Sequence, residues 1–229
     1  MREQNLDILC LQEPFSYKGK VKGYNSPSLM KIQPQNSEKA WVAAAVNKDK
    51  VDVLLNVGNE CDHIMCFKVL IRDLEFIIIN VYCQYSIPLE GFLGKIERVI
   101  NSFQSEKLLI TMNANAKFGL WFDKITDEKG ILLEEFVCEN DLVILNKPNN
   151  PPTYMSGSGS SNIDITLATE NFIRHVKSWK VDCSCTTSDH NLIILELEGT
   201  TKVSRSWKAD LGYNTKKADW NRFGCFVEF

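Results

Sequence analysis

What most narrows the fold is a series of strand-length apolar runs, rich in β-branched residues and repeatedly closed by a polar side chain. Asp7 to Leu11, Trp41 to Val46, Val51 to Asn56, Ile64 to Ile71, Phe76 to Cys83, Lys107 to Met112, Leu142 to Leu145, Ile163 to Leu167, Val176 to Val181 and Asn191 to Leu197 each read as a strand. The four between Trp41 and Cys83 have short polar breaks between them, which suits antiparallel neighbours. Helical spacing appears twice. Phe92, Ile96, Val99, Ile100 and Phe103 share a face between Pro88 and Phe103. Ile131, Leu132, Phe136 and Val137 lie near one face between Asp127 and Glu139, where Asp127 and Glu128 favour a helix start. A short helix is expected near Glu170 to His175, and Asn146 to Ser161 reads as a loop. Many strands with few helices predict an α/β protein of two sheets packed face to face with helices outside.

With 229 residues, 44% of them hydrophobic, the chain can bury one large core, and two domains would be cramped. Residues 1 to 198 are expected as that domain. From Gly199 the chain turns polar, with 6 basic and 3 acidic residues between 201 and 229, and reads as a tail or linker. No apolar run approaches the roughly 18 residues that cross a bilayer, and Met1 to Asp7 lacks the order of a signal peptide. The eight cysteines sit mostly inside apolar runs, which predicts reduced packing thiols and an intracellular protein. Cys183-Ser-Cys185 with His190 comes closest to a zinc spacing and is better read as packing. The net charge of -3 argues against a chain that coats nucleic acid. That sum hides an uneven distribution: Ser16 to Lys50 carries 7 basic and 2 acidic residues, a segment that could line a DNA groove or equally form a solvated lysine-rich loop.

Burying a carboxylate costs several kcal/mol unless it is paired or binds a metal, so polar residues at the ends of apolar strands carry information. Glu13 closes Ile8 to Gln12, Tyr82 follows Ile77 to Val81, and Asn113 and Asn115 follow Leu108 to Met112. Asp164 lies within Asn162-Ile-Asp-Ile-Thr166, and Asp189-His190 precede Asn191 to Ile194. Taken singly, each reads more readily as a turn residue or a structural hydrogen bond than as a site. Together they form an ordered set: Leu-Gln-Glu, Asn-Val-Tyr, Asn-x-Asn-Ala, Ile-Asp-x-Thr and Ser-Asp-His.

That set resembles the endonuclease/exonuclease/phosphatase superfamily, and more narrowly the apurinic-type endonuclease domain of non-LTR (LINE-type) retrotransposon polyproteins. Asn113-Ala-Asn-Ala-Lys-Phe-Gly-Leu-Trp121, Pro152-Thr-Tyr154 and Ser160 to Asp164 carry the narrower likeness, and Tyr213 to Trp220 resembles the segment leading toward a reverse transcriptase. The resemblance implies a four-layer α/β sandwich and a Mg²⁺-dependent enzyme that nicks double-stranded DNA in the nucleus. It implies Glu13 as a Mg²⁺ ligand with Asp189 completing or supporting the site, since hard carboxylate oxygens suit Mg²⁺. His190 would bind the scissile phosphate, with Asp164 orienting its ring; Tyr82 and Asn115 would donate to the phosphate or hold the water; Ser188 would support from beside Asp189.

Two departures shape what is expected of this chain. The pattern has Asp where Asn113 stands, and an amide can position a water without taking its proton near neutral pH. General-base assistance is worth about 10² to 10⁴ in rate, so activity is expected to be slow or absent. The pattern also opens with an Asn-bearing strand and a helix ahead of Leu-Gln-Glu, whereas Met1 stands six residues before Asp7. Their absence predicts a polypeptide that folds poorly alone, as expected of a shortened or decayed copy. Beside the endonuclease, two other readings stand: an inactive remnant that only binds DNA or a protein, and a phosphatase of a small phosphate ester.

Overall fold

The computed structural model describes residues 6–34, 38–54, 61–184 and 188–198. The expected tail from Gly199, the end of the strand expected at Val51 to Asn56, and Cys185 lie outside them.

Ten strands and two helices match the apolar patterning closely. In chain order, β1 is Ile8–Gln12, β2 Ser16–Tyr17, β3 Lys20–Val21, β4 Leu29–Ile32, β5 Val42–Asn47, β6 Asp52–Leu54, β7 Ile64–Ile71 and β8 Leu74–Tyr82. Helix α1, Leu89–Ser102, leads to β9, Leu108–Asn113; α2, Glu128–Glu139, leads to β10, Leu142–Ile144. The hairpin β11 (Tyr154–Ser156) and β12 (Gly159–Ser161) falls inside the expected loop, and β13 (Asp164–Thr169), α3 (Glu170–Ile173), β14 (Val176–Asp182) and β15 (Leu192–Leu197) complete the order. The hairpin escaped notice because two glycines and four serines between Tyr154 and Ser161 leave it no apolar alternation.

The larger sheet runs β10-β13-β9-β8-β7-β6. Only β8 and β9 are parallel, and α1 supplies the crossover that a parallel pair requires. The expectation of four successive antiparallel neighbours holds for β6, β7 and β8 but not for β5. That strand joins a second sheet, β1-β5-β4, because its run of small side chains, Val42-Ala-Ala-Ala-Val46, is buried on both faces.

Alternation along the central strands feeds two cores. Ile77, Ile79, Val81, Leu108 and Ile110 face α1 and α2, meeting Phe92, Ile96, Leu133 and Phe136. The opposite residues, Phe76, Ile78 and Leu109, meet Val42, Ala44, Val46 and Trp179 of the smaller sheets. Helices α1 and α2 thus cover one face of the larger sheet, whereas α3 packs Phe172 and Ile173 into the second core. Asp127 caps α2, its Oδ1 accepting from Gly130 N at 2.7 Å and from Lys117 N at 3.0 Å, which ties the helix start to the loop after β9.

The second layer is split. The free edge of β1 and the free edge of the β14-β15 pair flank a cleft of about 790 Å³ whose lining includes Ile8, Phe76, Ile78, Leu109, Ile193 and Leu195. Among the described residues no strand pairs with either edge on the cleft side.

Candidate active site

Register gathers most of the predicted residues. Tyr82 pairs with Asn113 across β8 and β9, and Asn113 pairs with Asp164 across β9 and β13. Residues level with one another on neighbouring strands point to the same face, so the three form a row at one end of the larger sheet. Glu13 comes from the smaller sheet, one residue past β1, and His190 precedes β15 in a bridge to Tyr154. Glu13, Asn113, Asp164, Ser188 and His190 all line the end of the cleft.

His190 Nδ1 lies 2.9 Å and 3.1 Å from the two carboxylate oxygens of Asp164. Burial of the ring opposes its charge, but the Asp164 hydrogen bond and the charges of Asp164, Glu13 and Asp189 outweigh that and raise its pKa. Protonated His190 therefore keeps Nε2–H available to an anion. The ring is further fixed by Tyr154, edge-on at 4.9 Å, and its backbone N–H donates to Ser188 Oγ at 3.1 Å. Asp164 is held in turn: its N–H and that of Ile163 donate to Thr153 Oγ1, and its carbonyl accepts from Asn146 Nδ2.

Tyr82 is tied to the residue expected to hold the metal. Its phenol donates to Glu13, and burial together with that carboxylate pushes its pKa far above the usual tyrosine range. Trp41, His63 and Tyr82 form three nearly parallel rings 5.2 to 6.0 Å apart, so the phenol is packed in place. Glu13 itself adopts a left-handed φ of 50°, held by its N–H to Trp41 O at 2.8 Å. A glutamate in that conformation is strained, and strain of this kind gathers at functional sites. Asn115 has the same φ of 50°, and its Nδ2 donates to Cys83 O at 2.9 Å, which leaves the side-chain carbonyl and one N–H for other work.

Asn113 is 4% exposed, and its Oδ1 is buried without a hydrogen-bond partner. An orphaned acceptor of this kind costs about 1 to 3 kcal/mol and calls for a donor such as water. Asp189 is exposed, and no contact joins its carboxylate to Glu13 among the described residues; both act on His190 through their charge. No group of three or more His, Cys, Asp or Glu converges among the described residues. One or two carboxylates with an orphaned amide oxygen nonetheless fit Mg²⁺, which keeps most of its waters and shares substrate phosphates. Cys10 and Cys83 do not fit a metal: burial pushes Cys10 up to about 11 and Cys83 up to about 12, so both stay protonated.

Asn80, which the sequence marks only as the first residue of Asn-Val-Tyr and to which it assigns no role, is fully buried within Ile77-Ile-Ile-Asn-Val81. Its Nδ2 donates to Leu11 O and Ala43 O at 3.0 Å, and its Oδ1 accepts from Gln12 Nε2 at 2.6 Å and Thr111 Oγ1 at 3.2 Å. Every capacity of that amide is used, and three of the four bonds join the sheet carrying Glu13 to the sheet carrying Tyr82, the bond from Thr111 lying within the latter. A polar residue in the middle of an apolar strand was the available signal. Thr153 was marked only through Pro152-Thr-Tyr154, and Asn146, Trp41 and His63 gave no comparable signal.

A carboxylate–histidine pair at the mouth of two stacked sheets, facing a carboxylate held by a tyrosine, defines a protein of the endonuclease/exonuclease/phosphatase class. Residues 76–194 match the endonuclease–reverse transcriptase family, and the chain belongs to it as the endonuclease domain of a non-LTR retrotransposon. It is 27% identical over 191 residues to the retrovirus-related Pol polyprotein from the type-1 retrotransposable element R1 of Bradysia coprophila, covering 79% of this chain and 19% of that polyprotein. It is likewise 27% identical over 172 residues to the putative 115 kDa protein in the type-1 retrotransposable element R1DM of Drosophila melanogaster, covering 71% of this chain and 17% of that protein. The chain thus spans under a fifth of these relatives.

Among solved structures it is similar to the endonuclease domain of TRAS1, a telomere-specific non-LTR retrotransposon, with a TM-score of 0.77 and 27% identity over 86% of this chain and 88% of the other. The AP endonuclease LMAP from Leishmania major shares the fold at a TM-score of 0.66 and 10% identity, over 87% of this chain and 80% of that one. No helix among the described residues is long and apolar enough to cross a membrane.

Proposed function

We propose that this domain hydrolyses a phosphodiester of double-stranded DNA with the help of Mg²⁺, at a rate limited by Asn113. The observation that supports it best is the His190–Asp164 pair at one end of the same cleft as Glu13 and the orphaned Asn113 oxygen. Glu13, supported by Asp189, would hold the Mg²⁺, which when bound supplies positive charge to a phosphate shielded by its own oxygens. Protonated His190 donates through Nε2 to a phosphate oxygen and offsets the negative charge that grows as water attacks. Asp164 keeps that ring charged and aligned. Asn113 Oδ1 accepts one O–H of the attacking water and so orients it, while the proton itself must leave to solvent. Tyr82 and the rings behind it hold Glu13 in its strained backbone position. In the longer protein the domain acts beside a reverse transcriptase, nicking chromosomal DNA in the nucleus to expose a 3′-hydroxyl.

Asn113 also supports a second reading, an inactive domain that retains DNA binding. Conversion of supercoiled plasmid to the nicked form, with and without Mg²⁺, separates the two. The enzyme reading expects slow Mg²⁺-dependent nicking that His190→Ala removes and Asn113→Asp speeds. No nicking by either the natural chain or the Asn113→Asp variant would refute it.

A further inference from the structure

We propose that the hairpin from Phe15 to Lys22 is a DNA-docking arm that grips the phosphate backbone of the duplex entering the cleft, an inference that rests on the endonuclease reading above. The hairpin closes through Lys22 N–H to Phe15 O at 2.9 Å, with Ser16 opposite Val21 and Tyr17 opposite Lys20. Lys18 and Gly19 form its tip with φ of 50° and 69°, the two positive values a tight hairpin turn requires. Strand alternation then separates two faces. Ser16 and Val21 face the protein, where Val21 packs on Ala40, Ala43 and Leu11. Phe15, Tyr17, Lys20 and Lys22 share the other face, and Phe15 is 77% and Tyr17 58% exposed.

A two-stranded hairpin is marginal by itself, and this one is clamped. Gln33 Nε2 donates to Gly19 O at 2.6 Å while its Oε1 accepts from Val21 N at 3.0 Å, and Lys31 Nζ reaches Val21 O and Gly23 O at 3.3 Å. The aromatic face is therefore held in water by bonds that do nothing to bury it. Its charge has one sign: from Pro14 to Ser37 the only charged side chains are Lys18, Lys20, Lys22 and Lys31. Lys18 and Lys22 lie 5.5 and 5.6 Å from the Tyr17 ring.

Rigid aromatics interleaved with lysines fit a polyanion that also offers sugar and base faces, which is nucleic acid. Position agrees. The arm begins two residues after Glu13, and its tip lies five residues on, about 17 Å of extended chain at most. Half a turn of duplex is about 17 Å, so the lysines reach phosphates flanking the one at the cleft.

Salt dependence of binding reads phosphate contacts directly, at about 0.9 of slope per phosphate neutralised. The full 229-residue chain is titrated in EDTA against a fluorescein-labelled 30-base-pair duplex by anisotropy, from about 50 to 200 mM KCl. Replacing Lys18, Lys20 and Lys22 with Ala should make the log–log slope shallower by about two to three and weaken binding at least about tenfold. Tyr17→Ser should weaken binding about three- to tenfold with the slope unchanged. Lys95→Ala, on the exposed side of α1, should change neither. An unchanged slope in the triple variant, with tight binding by the natural chain, would overturn the arm and leave the endonuclease reading to the plasmid assay. A natural chain that does not bind the duplex would overturn both. An oligoglutamate of equal charge bound as tightly, and equally weakened by Tyr17→Ser, would make the arm a protein dock and also overturn it.

Discussion

Removing the Asn80 side chain tests whether one buried amide sets the distance between Glu13 and the rest of the site. Asn80→Ala deletes four hydrogen bonds at a fully buried position, two to the carbonyls of Leu11 and Ala43 and two from Gln12 and Thr111. At about 0.5 to 1.5 kcal/mol net each, their loss comes to about 2 to 6 kcal/mol. Gln12 and Thr111 are only half-buried and can turn to water, which trims the upper end, whereas the Ala43 carbonyl bond is buried and its loss is felt in full. A destabilisation of about 3 to 4 kcal/mol follows, a large share of the 5 to 15 kcal/mol typical of whole domains. Urea unfolding followed by far-ultraviolet circular dichroism measures it, and nicking measured well below the midpoint should fall as well, because Glu13 loses its register. Gln12→Leu alone should cost about 1 kcal/mol and add little on top of Asn80→Ala, since the two share a bond. A loss under about 1 kcal/mol for Asn80→Ala, with an unchanged denaturant slope, would refute the role of the amide as the tie between sheets.

Asn113→Asp should raise Mg²⁺-dependent nicking about 10²- to 10⁴-fold by restoring a proton acceptor; a rise below tenfold would show that the water is not held there. The raised pKa of His190 means that the protonated form persists above the ordinary histidine range. Nicking should therefore hold on the acid side and decline as pH rises through that raised pKa, while Asp164→Asn moves the decline to lower pH; a decline that stays in place would remove Asp164 from the role. The same linkage gives a stability contribution present in full below the unfolded histidine pKa and lost as pH rises through the folded one. Gly130→Ala would place a Cβ 1.9 Å from the backbone oxygen of Lys117, in the loop that carries Asn115. It should cost about 1 to 3 kcal/mol in a thermal or urea melt and slow nicking, and an unchanged melt would show that the loop yields freely.

Much of the site was legible because its residues break a local rule. Glu13, Tyr82, Asp164 and His190 stand out as polar side chains closing apolar runs, and the structure brings Glu13, Asp164 and His190 to one cleft, with Tyr82 bonded to Glu13. Asn80 broke the same rule in mid-strand and entered the pattern only through Asn-Val-Tyr, with no role, since a polar residue there reads as one outward position until its four partners are known. The bond from Tyr82 to Glu13 was not legible for a similar reason: nothing local says that β1 brings Glu13 to its hydroxyl.

By itself the sequence determined where ten of the fifteen strands among the described residues and the helices run, because burial on one face writes a period of two or of about 3.6 into the chain, whereas the short β2, β3, β4, β11 and β12 carry too little of it. It also set the chemical types at the strand ends, including the amide at position 113 that withholds a proton acceptor. Only the tertiary structure decided that β5 leaves its sequence neighbours for another sheet, and that Tyr82, Asn113 and Asp164 stand level in one row. It alone showed that two strand edges are left facing a cleft, and that the lysines and aromatics after Glu13 share one face of a clamped hairpin. Those outcomes depend on register between segments up to 69 residues apart, where backbone hydrogen bonds pair any residue with any other and leave no periodic trace in the chain.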